Sequence, residues 1–131
     1  MMDIHKNKPI WIYLSIVLVL GTILLTSCEN GDDDSDNVLQ DVVLQLAPGA
    51  CASTTFSGQA GVSVNIRATG PSNEDPNLFV TDPTGAQVAT AQTTTLGVET
   101  LGLTPSVTGA FTLSVCDANN VGGPVRVIIT Q

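Results

Sequence analysis

Cys28, Cys51 and Cys116 carry all the sulfur chemistry beyond the start of this 131-residue chain, and Glu74, Asp75, Asp82, Glu99 and Asp117 are the acids spread along its second half. A thiol can accept a lipid, pair with another thiol, hold a metal or attack a carbonyl. The last two roles need an imidazole or a cation nearby to lower the thiol pKa or complete the ligand set. His5, Lys6, Lys8, Trp11 and Tyr13 all lie in the first 13 residues, and no His, Lys, Trp, Tyr or Met follows them. A histidine base, a Schiff-base lysine and a zinc imidazole are therefore excluded from the rest of the chain. Paired carboxylates can still hydrolyse glycosides, but they need a deep cleft, which so short a chain does not build. The residues predict a protein without catalytic activity. With a formal net charge of -8 and two arginines beyond the first 13 residues, no basic patch can be assembled, so nucleic acid is excluded as a partner.

The elements that position these residues begin with an address. Lys6 and Lys8 precede the apolar run "IWIYLSIVLVLGTILL", Ile10 to Leu25, the layout of a secretory signal. As a helix, that run spans roughly 24 Å, short of the ~30 Å hydrocarbon core of a bilayer. It is therefore read as a cleaved signal helix, the alternative being an uncleaved anchor. The run ends in "LTSC", where Leu25, Thr26 and Ser27 precede Cys28. This segment resembles the lipobox of bacterial lipoproteins, which implies that Cys28 is the lipid acceptor, that residues 1–27 are removed and that the membrane is met through acyl chains.

Next comes "ENGDDDSDN", which holds Glu29, Asp32, Asp33, Asp34 and Asp36 and no apolar residue. Such a segment buries nothing to offset the entropy of ordering, so residues 28–37 are read as a disordered acidic tether. An acidic run directly after the lipidated cysteine also resembles the export signal of surface lipoproteins in the Bacteroidetes. That implies an outer-membrane lipoprotein on the cell surface; the alternative is a plain spacer and a periplasm-facing protein.

From Val38 the texture changes to short alternating runs. In "VSVNIRA", Val62, Val64, Ile66 and Ala68 share one face while Ser63, Asn65 and Arg67 share the other, as in a half-buried strand. Further strands are read at "DVVLQLA" from Asp41, "NLFVT" from Asn77, "AQVATA" from Ala86, "AFTLSVC" from Ala110 and "VRVIIT" from Val125, with Cys51 in the second predicted strand. "APG", "GQAG", "DPTG", "PSVTG" and "NNVGGP" supply turns between them. In "DPTG", Pro83 presets the second turn position, Asp82 can bond back to the backbone and Gly85 closes a type I turn. Residues 38–131 are thus expected to form one all-β domain, an antiparallel sandwich.

Two blocks carry a family resemblance. "DPNLFVTDPTGAQVATA" (75–91) and "VETLGLTPSVTGAFTLSVCD" (98–117) are similar to the bacterial pre-peptidase C-terminal domain, a small jelly-roll-like sandwich often appended to secreted proteases. Asp75, Leu78, Val80, Asp82, Pro83 and Gly85 match its acidic strand and turn; Gly109, Phe111, Thr112, Leu113 and Val115 match its later "GxYTLxV" strand. The likeness implies an accessory, binding role. The chain departs from the pattern where paired acids thin to "EDPN" and where Phe79 and Phe111 replace tyrosines.

With Cys28 assigned to lipid, Cys51 and Cys116 remain as an even pair in an oxidising compartment, which reads as a disulfide. No cofactor is expected. Calcium is the one metal weighed, with Asp75 and Asp82 as ligands: oxygens around "SNEDPN" (72–77) are joined by Asp82, or by Asp117 and Asn119, brought near by folding, although no EF-hand spacing is present. Three binding roles are open. One is a surface-displayed module contacting a protein or extracellular polymer, with hydroxyls from "ASTTF" (52–56) and "AQTTTLG" (91–97). The second is a carbohydrate-binding module, disfavoured by the missing Trp and Tyr. The third is a structural subunit of an outer-membrane complex, with "VRVIIT" either pairing at an edge or buried as a central strand.

Overall fold

The computed structural model describes residues 37–131. The signal segment 1–27, Cys28 and all of the acidic tether except Asn37 lie outside the described residues. Eight strands follow in order: β1 (Val38–Leu46), β2 (Cys51–Gly58), β3 (Val64–Thr69), β4 (Pro76–Thr81), β5 (Gln87–Ala91), β6 (Val98–Leu103), β7 (Gly109–Asp117) and β8 (Gly123–Thr130). They form two four-stranded sheets, ordered β1-β8-β3-β6 and β2-β7-β4-β5, and every pairing is antiparallel. Consecutive strands β1 to β4 alternate between the sheets, as do β5 to β8, which is the jelly-roll winding. The all-β sandwich expected from the alternating runs is the observed fold.

Alternation decides what each strand buries. Val125, Val127 and Ile129 of β8, Val64, Ile66 and Ala68 of β3, and Phe111, Leu113 and Val115 of β7 are all buried. Leu78 and Val80 of β4 complete the contact between the sheets, and Phe56 stacks on Phe111 with ring centroids 5.7 Å apart. Gly58 lies against that aromatic pair; a methyl group built there would meet the Phe111 ring at 2.7 Å, so only glycine lets the backbone pass.

Strand β8 takes the second of the two roles open to it in the sequence, and β6 departs from the sequence reading. "VRVIIT" lies between β1 and β3, hydrogen-bonded on both sides, so it is a central strand and has no free edge to offer a partner. Strand β6 is absent from the alternating runs because its inward set is Glu99, Leu101 and Leu103: an acid occupies the position where the pattern calls for an apolar residue.

Turns and termini set the two ends of the sandwich. Asp82 Oδ1 accepts from Thr84 N–H, Thr84 hydroxyl and Ala86 N–H at 2.8, 2.6 and 3.0 Å, and Gly85 N–H donates to the Asp82 carbonyl at 3.0 Å. Gly85 has φ +87°, which places a left-handed residue after the type I turn and joins β4 to β5. Asn37 and Gln131 exchange backbone hydrogen bonds of 3.0 and 2.9 Å, so the domain begins beside Gln131, at the same end as this turn.

Candidate functional site

The two outer faces of the sandwich differ in chemistry, and the difference follows from strand register. On the β2-β7-β4-β5 sheet, Ser53 stands opposite Ser114, Ser114 opposite Phe79 and Phe79 opposite Thr90. The next row runs Thr55, Thr112, Thr81 and Gln87. Neighbouring strands lie about 4.8 Å apart and alternate residues along a strand about 6.8 Å apart, so these side chains form a regular array of hydroxyls. Ser53 Oγ and Ser114 Oγ share a 2.9 Å hydrogen bond within it. Half-buried Phe79 is the large apolar side chain at its centre. No Asp, Glu or Arg occupies either row. Cys51 and Cys116 stand in register beside it and are joined by a disulfide.

Of the two threonine-rich stretches singled out in the sequence, the register divides the first and displaces the second. Ser53 and Thr55 of "ASTTF" face outward, whereas Thr54 points inward and accepts from the Gln40 amide at 3.3 Å. Thr93 and Thr95 of "AQTTTLG" belong to the β5–β6 connection. There Thr93 donates to Glu99 from both its backbone N–H and its hydroxyl at 2.8 Å. The contributions of Thr112, Ser114, Thr81 and Thr90 were not singled out in the sequence, because they join the face only once strands as far apart as β2 and β7 are paired.

The opposite face, on β1-β8-β3-β6, is charged. Arg126 grips Asp41 through two hydrogen bonds, Nε to Oδ1 at 3.0 Å and Nη2 to Oδ2 at 2.7 Å. The hydrogen bond from Arg126 holds the Asp41 carboxyl below the usual carboxylate range. One row over this face runs Asp41, Ile128, Arg67 and Thr100.

Three of the six acids among the described residues, Glu74, Asp75 and Asp117, cluster at the end of the sandwich away from Asn37 and Gln131. Asp117 Oδ2 accepts from Gly49 N–H at 2.9 Å and Gly122 N–H at 2.8 Å, while Oδ1 accepts from Asn119 N–H at 3.2 Å. Burial pushes this carboxyl up, but the N–H groups of Gly49, Gly122, Asn119 and Val121 together hold it below its ordinary value. Its role is to tie the β1–β2 loop to the β7–β8 loop. Gly122 has φ +67°, and its approach to Leu46 and Pro48 leaves no space for a side chain. Asn119 links a third loop, accepting from Asp75 N–H at 3.2 Å and donating to the Asn73 carbonyl at 2.7 Å.

Glu74 is the anomaly of this end. Its side chain is fully buried and neither carboxylate oxygen has a hydrogen-bond partner. Desolvation by burial, reinforced by the negative Asp117, raises its pKa above its ordinary value. No composition signal marks it, since Glu74 sits in "SNEDPN" with the look of a solvated loop residue.

Asp75 and Asp82, paired in the sequence as calcium ligands, flank β4 at its two ends. The strand between them holds them roughly 20 Å apart, so they do not share one ion. Folding does bring Asp117 and Asn119 to Asp75, as the same reading anticipated, but the oxygens of Asp117 are taken up by backbone N–H groups. Among the described residues, no three His, Cys, Asp or Glu side chains come together in an arrangement that could hold a metal ion.

No family model matches this chain, and no curated protein is similar to it in sequence. Among solved structures, the fold is similar to that of the pre-peptidase C-terminal domain of a collagenase from Bacillus anthracis, with a TM-score of 0.55 and 14% sequence identity, over 77% of this chain and 100% of that one. The likeness is one of fold.

Proposed function

We propose that the protein is an exported, non-catalytic binding module, held to the outer membrane through lipid on Cys28, that meets an uncharged, hydroxyl-bearing extracellular polymer with the outer face of its β2-β7-β4-β5 sheet. The observation that carries this reading is the chemistry of that face: two rows of Ser, Thr and Gln across four strands, with Phe79 at the centre and no charge. Hydroxyls exchange water for a polymer's hydroxyls at little net cost, whereas a charged side chain there would have to be desolvated against a neutral surface. Phe79 adds an apolar platform for the carbon face of a sugar ring, the role that Trp or Tyr plays elsewhere.

The absence of His and Lys beyond the first 13 residues supports a role without catalysis, and the fold neighbour, itself a C-terminal domain, is compatible with an accessory module. The acidic run after Cys28 supports a cell-surface address, with a periplasm-facing subunit as the second reading.

Sedimentation with an insoluble neutral glucan tests the reading. The wild-type chain, solubilised in detergent, is expected to pellet with the glucan, and Phe79→Ala to lose most of that binding while keeping its circular dichroism. Equal pelleting of both, or none of either, would overturn it.

A further inference from the structure

Arg67 sits on the other sheet and has no carboxylate partner among the described residues, in a domain where residues 37–131 hold six acids and two arginines. The second arginine, Arg126, is already engaged bidentately with Asp41. Asp41 lies in the same row as Arg67 but two strands away, roughly 10 Å, and its two oxygens are committed. The in-register neighbours of Arg67 are Ile128 on one side and Thr100 on the other, both uncharged.

Beside it the face is notched. Gly102 stands opposite Asn65, and the missing side chain opens a hollow of about 340 Å³ lined by Asn65, Arg67, Thr100, Gly102, Ile128 and Thr130. That lining is a guanidinium fork, an amide and two hydroxyls, together with apolar surface from Ile66, Leu101 and Ile128. A guanidinium matches a carboxylate through two parallel hydrogen bonds, and the remaining groups match hydroxyls around a ring. The volume lies at the lower end of small-ligand sites, enough for one or two sugar rings.

We propose that this hollow binds a sugar carrying a single carboxylate, a uronate, with Arg67 on the carboxylate and Asn65, Thr100 and Thr130 on its hydroxyls. The acidic excess of the domain argues for one carboxylate per ligand, because a dense polyanion would be repelled by the surrounding field. The site is separate from the hydroxyl face on the opposite sheet, so either can fail without the other.

The test is a titration of the detergent-solubilised chain with D-glucuronate at low salt, followed by calorimetry, with D-glucose and acetate as the comparison ligands. Saturable glucuronate binding, weaker for acetate and absent for D-glucose, is expected. Arg67→Gln should weaken it by at least about tenfold, the scale of losing one charge-assisted bidentate contact. Arg67→Lys should recover only part, since the point charge remains and the fork does not. Gly102→Val should also abolish binding by filling the notch, with an unchanged circular dichroism spectrum as the check on its fold; the Cβ at this position meets only Asn65 Oδ1, at 3.6 Å. Four results would overturn the proposal: no saturable binding of glucuronate, equal binding of D-glucose, acetate binding as tightly as glucuronate, or an Arg67→Gln variant that binds like the wild type.

Discussion

Breaking the Cys51–Cys116 bridge should cost the domain about 4 kcal/mol. The two cysteines stand opposite each other on β2 and β7 and close a loop with a sequence separation of 65. In the chain-entropy description, a loop of that length removes about 14.5 cal/mol/K from the unfolded ensemble, or about 4.3 kcal/mol at room temperature. A domain of this size shifts its midpoint by about 4–8 °C per kcal/mol, so a drop of roughly 15–30 °C follows. The double variant Cys51→Ala/Cys116→Ala, carried on residues 28–131 with Cys28→Ser, isolates the effect from the third thiol. Guanidinium unfolding followed by far-ultraviolet circular dichroism is the assay, because the region holds no Trp or Tyr to report by fluorescence. The denaturant slope should rise as well, since an uncrosslinked chain exposes more surface when it unfolds. A loss under about 1 kcal/mol with an unchanged slope would refute the loop-closure reasoning and leave the bridge as a surface feature of the β2–β7 pair.

Other positions give sharp expectations. The pKa of Glu74 is raised above its ordinary 4.5, so the stability tied to its protonated form is full below that value and is lost as pH rises through the folded pKa; Glu74→Gln should flatten that fall in a pH series of unfolding midpoints. The pKa of Asp117 is lowered, so its contribution is present above the ordinary 3.8 and disappears as pH falls through the folded pKa. Asp117→Ala leaves the Gly49 and Gly122 N–H groups without their acceptor and should cost about 2 kcal/mol, with faster amide hydrogen exchange in both loops. Gly58→Ala forces a methyl group against the Phe111 ring and should destabilise by about 1–3 kcal/mol in the same unfolding assay.

The sandwich was legible wherever inward positions were apolar without interruption, as at Val64, Ile66 and Ala68 or Phe111, Leu113 and Val115. Strand β6 was not, because Glu99 faces inward and is satisfied there by Thr93 and by Thr100 N–H, an arrangement that a local period of two cannot reveal. The cysteine pairing was legible by arithmetic, since two thiols remain once Cys28 is set aside. Folding was expected to bring Asp82 near Asp75; the extended strand β4 between them is what keeps them apart. The hydroxyl face and the Arg67 hollow were beyond reach for a common reason. The face is assembled across four strands and the hollow across three, and which residues share a row depends on registers between segments up to about sixty-five residues apart.

A single introduced charge tests the account most directly. Ser114→Lys places an ammonium in the middle of the uncharged face, while Thr69→Lys places one on the opposite sheet, both at outward strand positions. In sedimentation with the neutral glucan, Ser114→Lys is predicted to abolish pelleting and Thr69→Lys to leave it at the wild-type level. Retained pelleting with Ser114→Lys, or equal loss in both variants, would contradict the claim that the hydroxyl face is the binding surface.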